Sequence, residues 1–199
     1  MRLYLLHKCP FGHRAAIALR EKNLDFDLTF FESGKRPPEL EAAGPRAKSP
    51  TLFDDNVKVH DSQVVLEYIE ERYPLPSLMP KSAEGRAEVR MLITRYNDEV
   101  APKFGTLISE LLFKAPPDPA KIAEARQAYL AALTPWDAYF KDRMFAVGNA
   151  LSLADITLYT FCPAAKALAD IEIPAQLPHL AGWVERMRAR PSTALPTPS

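Results

Sequence analysis

Cysteine is scarce in this chain of 199 residues, which holds only Cys9 and Cys162. Two thiols cannot supply a disulfide framework, and the scarcity fits a reducing, cytoplasmic compartment. An excess of one charge is missing too: Lys+Arg and Asp+Glu both number 25. No global field therefore recruits nucleic acid or an anionic membrane. No run approaches the roughly 20 apolar residues of a membrane span. The apolar stretch Leu3 to Leu6, cut off by His7-Lys8, is too short for the core of a signal peptide. The histidines His7, His13, His60 and His179 lack metal-ligand spacing, so no metal is expected. Glycine-rich phosphate loops, a Ser-His-Asp order and a basic aromatic stripe are all absent. Internal repeats and low-complexity segments are absent as well.

What is present begins at Cys9-Pro10-Phe11, where the apolar run gives way to a helical pattern. Phe11, Ala15, Ala18 and Leu19 fall on one face of a predicted helix over 10–22. Proline suits a first helical turn, where its missing N–H costs nothing. Cys9 is thereby expected at or beside the N-cap, where unpaired N–H groups and the helix dipole favour negative charge on sulfur. Lys8 and Arg14 add positive potential nearby. The fourth position of a Cys-x-x-Cys pair is held by Gly12, which excludes an intramolecular dithiol cycle. Cys162, inside an apolar helical pattern beside Pro163, reads as a core residue.

The rest of the first part alternates strands and helices. Arg2–His7 and Phe26–Phe31 are predicted strands. Thr51–Asp54 and Val57–His60, joined by Asp55-Asn56, form a predicted hairpin. Asp61-Ser62 caps the next helix, whose apolar face is Val64, Val65, Leu66, Tyr68 and Ile69. Strand–helix–strand, then hairpin and helix, is the order of a thioredoxin-like α/β domain over residues 1–73. The proline-punctuated stretch from Pro74 to Pro80 marks a linker, assigned to residues 74–82. Residues 83–199 show helical patterns only: 83–114 with a kink expected at Pro102, 120–142, a helix capped by Ser152 and Asp155, and 178–190. Met91, Tyr96, Phe104 and Phe113 are either core or the lining of a hydrophobic pocket. Pro191–Ser199 reads as a frayed tail.

A thioredoxin-like half, a proline-rich linker and an all-helical half together resemble the cytosolic glutathione transferase superfamily. Cys9-Pro10-Phe11, Ser49-Pro50, Asp61-Ser62 and Ser152-Leu153-Ala154-Asp155 carry the resemblance. The Cys-Pro-Phe element looks most like the cysteine-type branch, the omega-class transferases and dehydroascorbate reductases. The segment from Tyr68 to Pro80 is similar to stringent starvation protein A, a transferase-like regulator that binds RNA polymerase. The resemblance implies glutathione as co-substrate and Cys9 as covalent nucleophile. Phe11, Arg36, Lys48, Ser49, Asp61 and Ser62 are the implied glutathione-binding residues. Ser49-Pro50 matches a Val-cis-Pro whose backbone pairs with the ligand's cysteinyl part. Asp61-Ser62 stands where relatives place Glu-Ser or Gln-Ser against the γ-glutamyl ammonium and carboxylate. Arg36 and Lys48 flank the groove near the glycyl carboxylate. The expected partner is a small disulfide or electrophilic substrate, and the expected state is a homodimer. A polymerase-associated regulator and a conventional conjugating transferase stay open as alternatives.

Overall fold

The computed structural model describes residues 1–194. It divides into two units: Met1–Met79 with the segment beginning at Arg190, and Pro80–Ala189. The sequence carries the helical half to the chain's end; by contact, the described residues after Ala189 (190–194) go with the first unit.

In the first unit a four-stranded sheet is built from β1 (Arg2–Leu6), β2 (Asp27–Phe31), β3 (Thr51–Asp54) and β4 (Val57–His60). The strand order is β2-β1-β3-β4. β1 pairs parallel with β2 (Leu3 opposite Leu28) and antiparallel with β3 (Leu3 opposite Leu52). β1 is thus central, and Leu3, Tyr4 and Leu5 are all buried. A strand covered on both faces needs a continuous apolar run rather than alternation, which is what residues 3–6 supply. The β3–β4 turn puts Asp55 at a φ of 49°, a conformation aspartate tolerates in tight turns.

Helices α1 (Pro10–Glu21) and α3 (Ser62–Arg72) pack together in this unit. The short helix α2 (Pro38–Ala42) has no counterpart among the sequence expectations; its five residues are too few for a periodic face. A buried ion pair, Lys22 Nζ to Glu70 at 2.7 Å, ties the end of α1 to α3. Lys22 also donates to the carbonyls of Tyr73 and Pro76. Glu70 accepts from Ser77 Oγ and Leu78 N–H. The proline-rich connector is thereby fastened by charge that keeps its hydrogen bonds inside the protein, the condition under which buried charge is tolerated.

The expected frayed tail is partly ordered. Pro191–Thr193 forms a 3-10 turn, with Thr193 buried. Arg190 makes a two-pronged contact with Glu21, both bonds at 2.8 Å, and Arg20 donates to the carbonyls of Ser192 and Ala194. Ser192 Oγ also donates to Glu21. Four groups on α1 and the returning chain thus replace water on one another, which the tail's polar composition does not reveal. Residues 195–199 of that expectation lie outside the described residues.

The second unit is helical: α4 (Ala83–Glu99), α5 (Ala101–Leu112), α6 (Pro119–Phe140), α7 (Leu153–Tyr159), α8 (Phe161–Ala169) and α9 (Pro178–Arg188). The break expected at Pro102 falls at Val100, because proline lies in the first turn of α5, where its missing N–H is harmless. Tyr96 and Phe104 are core: Tyr96 meets Trp136 at 5.1 Å and Phe161 at 5.4 Å, and Phe104 meets Phe161 at 5.3 Å. Met91 and Phe113, in contrast, are exposed. Asp155, fully buried, completes the expected capping box with Ser152 and also accepts from Ala146 N–H at 2.7 Å and Trp183 Nε1 at 3.1 Å. Cys162 is buried as read from sequence, and desolvation pushes its thiol up to about 12, the mark of an inert side chain. Among the described residues no helix is long and apolar enough to cross a membrane.

Candidate functional site

Cys9 is the N-cap of α1, with extended backbone (φ −75°, ψ 118°) and Pro10 behind it. Its N–H donates to Leu6 C=O at 3.2 Å and its C=O accepts from His13 N–H at 3.0 Å. The backbone is satisfied on both sides, so the half-buried thiol is held at the positive end of a 12-residue helix.

Ser49-Pro50 is a cis peptide. Ser49 Oγ accepts the Leu6 N–H at 3.0 Å, so this hydroxyl serves the fold and the residue's offer to a ligand is its main chain. Leu6 therefore touches Cys9 through its carbonyl and Ser49 through its N–H. Gly12 fills the same corner. A Cβ there would meet Leu5 Cβ at 2.7 Å and Ser49 Oγ at 2.9 Å. The missing second thiol has a steric reason, since this position leaves no room for any side chain.

Asp61 caps α3 by accepting from Gln63 N–H at 3.1 Å, and its backbone sits at φ 74°, ψ 126°. That φ is sparsely populated for any residue with a Cβ, and such conformations concentrate at ligand clamps. Ser62, the first residue of α3, is buried, and its Oγ accepts from Arg14 Nη1 at 3.2 Å. Arg14 is only 1% exposed, and its guanidinium lies 4.9 Å from the centroid of the half-exposed Phe11 ring. Cys9, Phe11, Ser49 and Ser62 are thus gathered around the first two turns of α1.

Lys48 and Asp61 line an open groove of about 970 Å³ in the first unit, together with Arg46, Lys58 and His60. Lys48 is exposed, and its carbonyl accepts from Thr51 Oγ1 at 2.6 Å. Arg36 is differently employed. Its Nη2 donates to the carbonyls of Leu40 at 2.7 Å and Gly44 at 2.6 Å, closing the end of α2. A guanidinium committed to orphan helix carbonyls is a structural clasp.

Two neighbours escaped the sequence reading. His13 is 2% exposed, beneath the returning residues Thr193 and Ala194. Burial lowers its imidazole to about 4, although the nearby carbonyls of Ala194 and Thr193 favour the charged ring. Neither ring nitrogen meets a partner at hydrogen-bonding geometry, so desolvation prevails. The ring is therefore neutral at physiological pH. The buried placement of Arg14 was also missed; its signal is a charge set directly before the apolar run Ala15–Leu19. Among the described residues no cluster of His, Cys, Asp or Glu is arranged to hold a metal ion.

Chemically, the arrangement offers a lone thiol at a helix start, a main-chain edge at Ser49, and a hydroxyl backed by a cation at the start of α3. Residues 3–77 match the glutathione S-transferase N-terminal domain family, and residues 119–186 match the C-terminal domain family. A probable glutathione S-transferase DHAR2, chloroplastic, from rice (Oryza sativa subsp. japonica) is 31% identical over 156 residues. That match takes in 77% of this chain but only half of the rice protein's length. A stringent starvation protein A homolog from Coxiella burnetii is 32% identical over 85 residues, covering 43% of this chain and 41% of its own. Among solved structures, a glutathione S-transferase from Methylobacterium radiotolerans, in complex with glutathione sulfonate, superposes with a TM-score of 0.83. It is 25% identical and covers 100% of this chain and 95% of its own.

Proposed function

The chain belongs to the glutathione S-transferase family, its two domain matches together spanning well over half the sequence, and from that premise we propose that it is a glutathione-dependent thiol transferase or reductase acting through Cys9. The observation that carries the reading is the position of Cys9 as N-cap of α1, between Leu6, which bonds Ser49, and Arg14, which bonds Ser62 at the start of α3. A hydroxyl at this position only holds the thiolate of glutathione, whereas a thiolate also attacks glutathione's disulfides and becomes covalently joined to the glutathionyl sulfur. In the proposed sequence, Cys9 thiolate attacks the glutathionyl sulfur of a mixed disulfide. The Cys9–S–SG bond forms, the substrate's S–S bond breaks, and the substrate leaves as a thiolate that takes a proton from water. A second glutathione thiolate then attacks Cys9–S–SG, releasing glutathione disulfide and restoring the Cys9 thiolate.

Glutathione is an extended tripeptide with one ammonium and two carboxylates. We assign its cysteinyl backbone to the main chain at Ser49, its γ-glutamyl carboxylate to Ser62 and the amides of α3, and its ammonium to Asp61. Lys48 faces the glycyl end, and Phe11 flanks the thiol. Arg36 is left out of the assignment, because its Nη2 is committed to the carbonyls of Leu40 and Gly44. Incubation with glutathione disulfide followed by intact-mass measurement tests the reading. One glutathionyl adduct, mapped to Cys9 and removed by added glutathione, is the expected result. An unmodified protein, or an adduct that persists in Cys9→Ser, overturns it.

The proposal extends to a cytoplasmic homodimer. Val64 on α3 and Met91 on α4 are large apolar side chains left in solvent, at 55% and 64% exposure, and each is available to a partner copy. Light scattering on dilution decides: a mass near 22.3 kDa at micromolar concentration rejects the dimer.

A further inference from the structure

We infer that Arg14 is the positioning residue for the carboxylate end of this site, acting through Ser62. The inference rests on the glutathione reading above and goes beyond it by assigning a role to a residue set inside α1. Arg14 is almost wholly buried, and its Nη1 lies 3.2 Å from Ser62 Oγ. An arginine side chain has donors and no acceptor, so in this contact the serine oxygen must be the acceptor. A hydroxyl has a single proton to give. With one of its lone pairs fixed by the guanidinium, Ser62 is left to present that proton elsewhere, and the proton becomes an outward donor at the start of α3. A charged donor also polarises the hydroxyl it binds, which strengthens the bond the hydroxyl makes in turn. Ser62 thus meets an anion with a cation directly behind it, one hydrogen bond away.

The choice of arginine follows from the surroundings. Its guanidinium carbon lies over the Phe11 ring, 4.9 Å from the centroid, a contact suited to a delocalised cation, while Nη1 still reaches Ser62. Lysine retains the charge but cannot make both contacts in a fixed geometry. The same residue therefore joins the helix that begins at Cys9 to the helix that begins at Ser62. A ligand anchored at Ser62 has its position referred directly to the thiol's own helix. The link carries no proton and touches no reacting atom, so its effect belongs in ligand affinity.

The test compares three ligands by isothermal titration: glutathione, its glycyl ethyl ester, and glutathione with the γ-glutamyl α-carboxylate converted to an amide. Arg14→Met is expected to weaken glutathione and the glycyl ester alike by about tenfold or more, the scale of a charge-assisted hydrogen bond. The γ-glutamyl amide, lacking the anion, is expected to change by less than about twofold. In a Ser62→Ala background the Arg14→Met loss is expected to disappear, because the relay has lost its middle member. Equal losses on all three ligands, or an undiminished loss in the Ser62→Ala background, overturn the inference. If Arg14→Met fails to fold, Arg14→Lys is measured on the same ligands, with the same ranking expected at about threefold. Failure of the wild-type protein to bind glutathione defeats both readings, whereas normal binding with no Arg14 effect defeats this one alone.

Discussion

The first unit buries Arg14, Lys22 and Glu70 in contacts that join elements distant in sequence, whereas Asp155 is the one charged side chain buried in the second unit among the described residues. Lys22 reaches Glu70 and the connector; Arg14 reaches Ser62. Asp155 instead gathers Ala146, Ser152 and Trp183 around one helix start, inside an aromatic core. Polar groups in the first unit therefore set the mutual position of α1 and α3, the two helices whose starts form the site. In the second unit they secure local framing, within a core of aliphatic side chains and contacting rings. Loss of a buried polar group is expected to cost both function and stability in the one, and stability alone in the other.

The sharpest separation comes from Cys9→Ser. Thiol transfer is expected to fall by about 10³-fold or more, since a serine hydroxyl is almost wholly protonated at neutral pH and cannot form the mixed disulfide. Its melting temperature is expected to stay close to wild type, the side chain being half-buried and without a structural hydrogen bond of its own. A transferase assay beside a thermal melt checks both halves, and a large loss of stability breaks the contrast.

Lys22→Met should show the first unit's dependence on buried charge. It leaves Glu70 buried without its cation, and such losses run to about 3–5 kcal/mol. Urea unfolding measures this; a change under about 1 kcal/mol would mean that the connector's hydrogen bonds suffice. Asp155→Ala is expected to cost about 2–3 kcal/mol, beyond the ~0.5–2 kcal/mol typical of a cap, because Trp183 Nε1 and Ala146 N–H also lose their acceptor. Glutathione affinity should be unchanged. An affinity loss that exceeds the fraction of unfolded protein would erase the division between the units.

The smallest effect at neutral pH concerns His13. Its folded value of about 4 lies below the ordinary 6.5, so between these the unfolded chain binds a proton that the folded chain refuses. The stabilisation is complete above pH 6.5 and is lost as pH falls through 4, by about 3 kcal/mol in all. His13→Phe is expected to flatten this part of the stability profile. Denaturant titrations at pH 7 and pH 4.5 provide the comparison, and an unaltered slope in the variant would refute it.

Features set by neighbours along the chain were legible in the sequence. The boundary at Cys9-Pro10, the hairpin from Thr51 to His60, the Asp61 cap and the Ser152–Asp155 box depend on residues within a turn or two, and the structure has each of them. Arg14 and Lys22 were opaque, because their partners Ser62 and Glu70 are 48 positions away in each case, and no periodicity records a bond across that distance. Arg36 shows a further local contact that no motif announces: a basic residue in a loop beside a groove suggests an anion, and its Nη2 also bonds the carbonyls of Leu40 and Gly44. The break at Val100 misled for a local reason, since a proline shows that a helix is interrupted more reliably than it shows where.

The return of Arg190 to Glu21 has a consequence in time. A chain made from its amino terminus exposes β1 to α3 first, and nascent domains generally begin to fold in that order. Glu21 and His13 then lack their cover until the whole of Pro80–Ala189 has been synthesised and Arg190 to Ala194 can close on α1. Closing so long a loop adds little entropy for its length, about 0.6 kcal/mol per doubling, so the delay is kinetic. The first unit is thus finished only after the second has been made, and a fragment cut at Met79 remains at that unfinished stage.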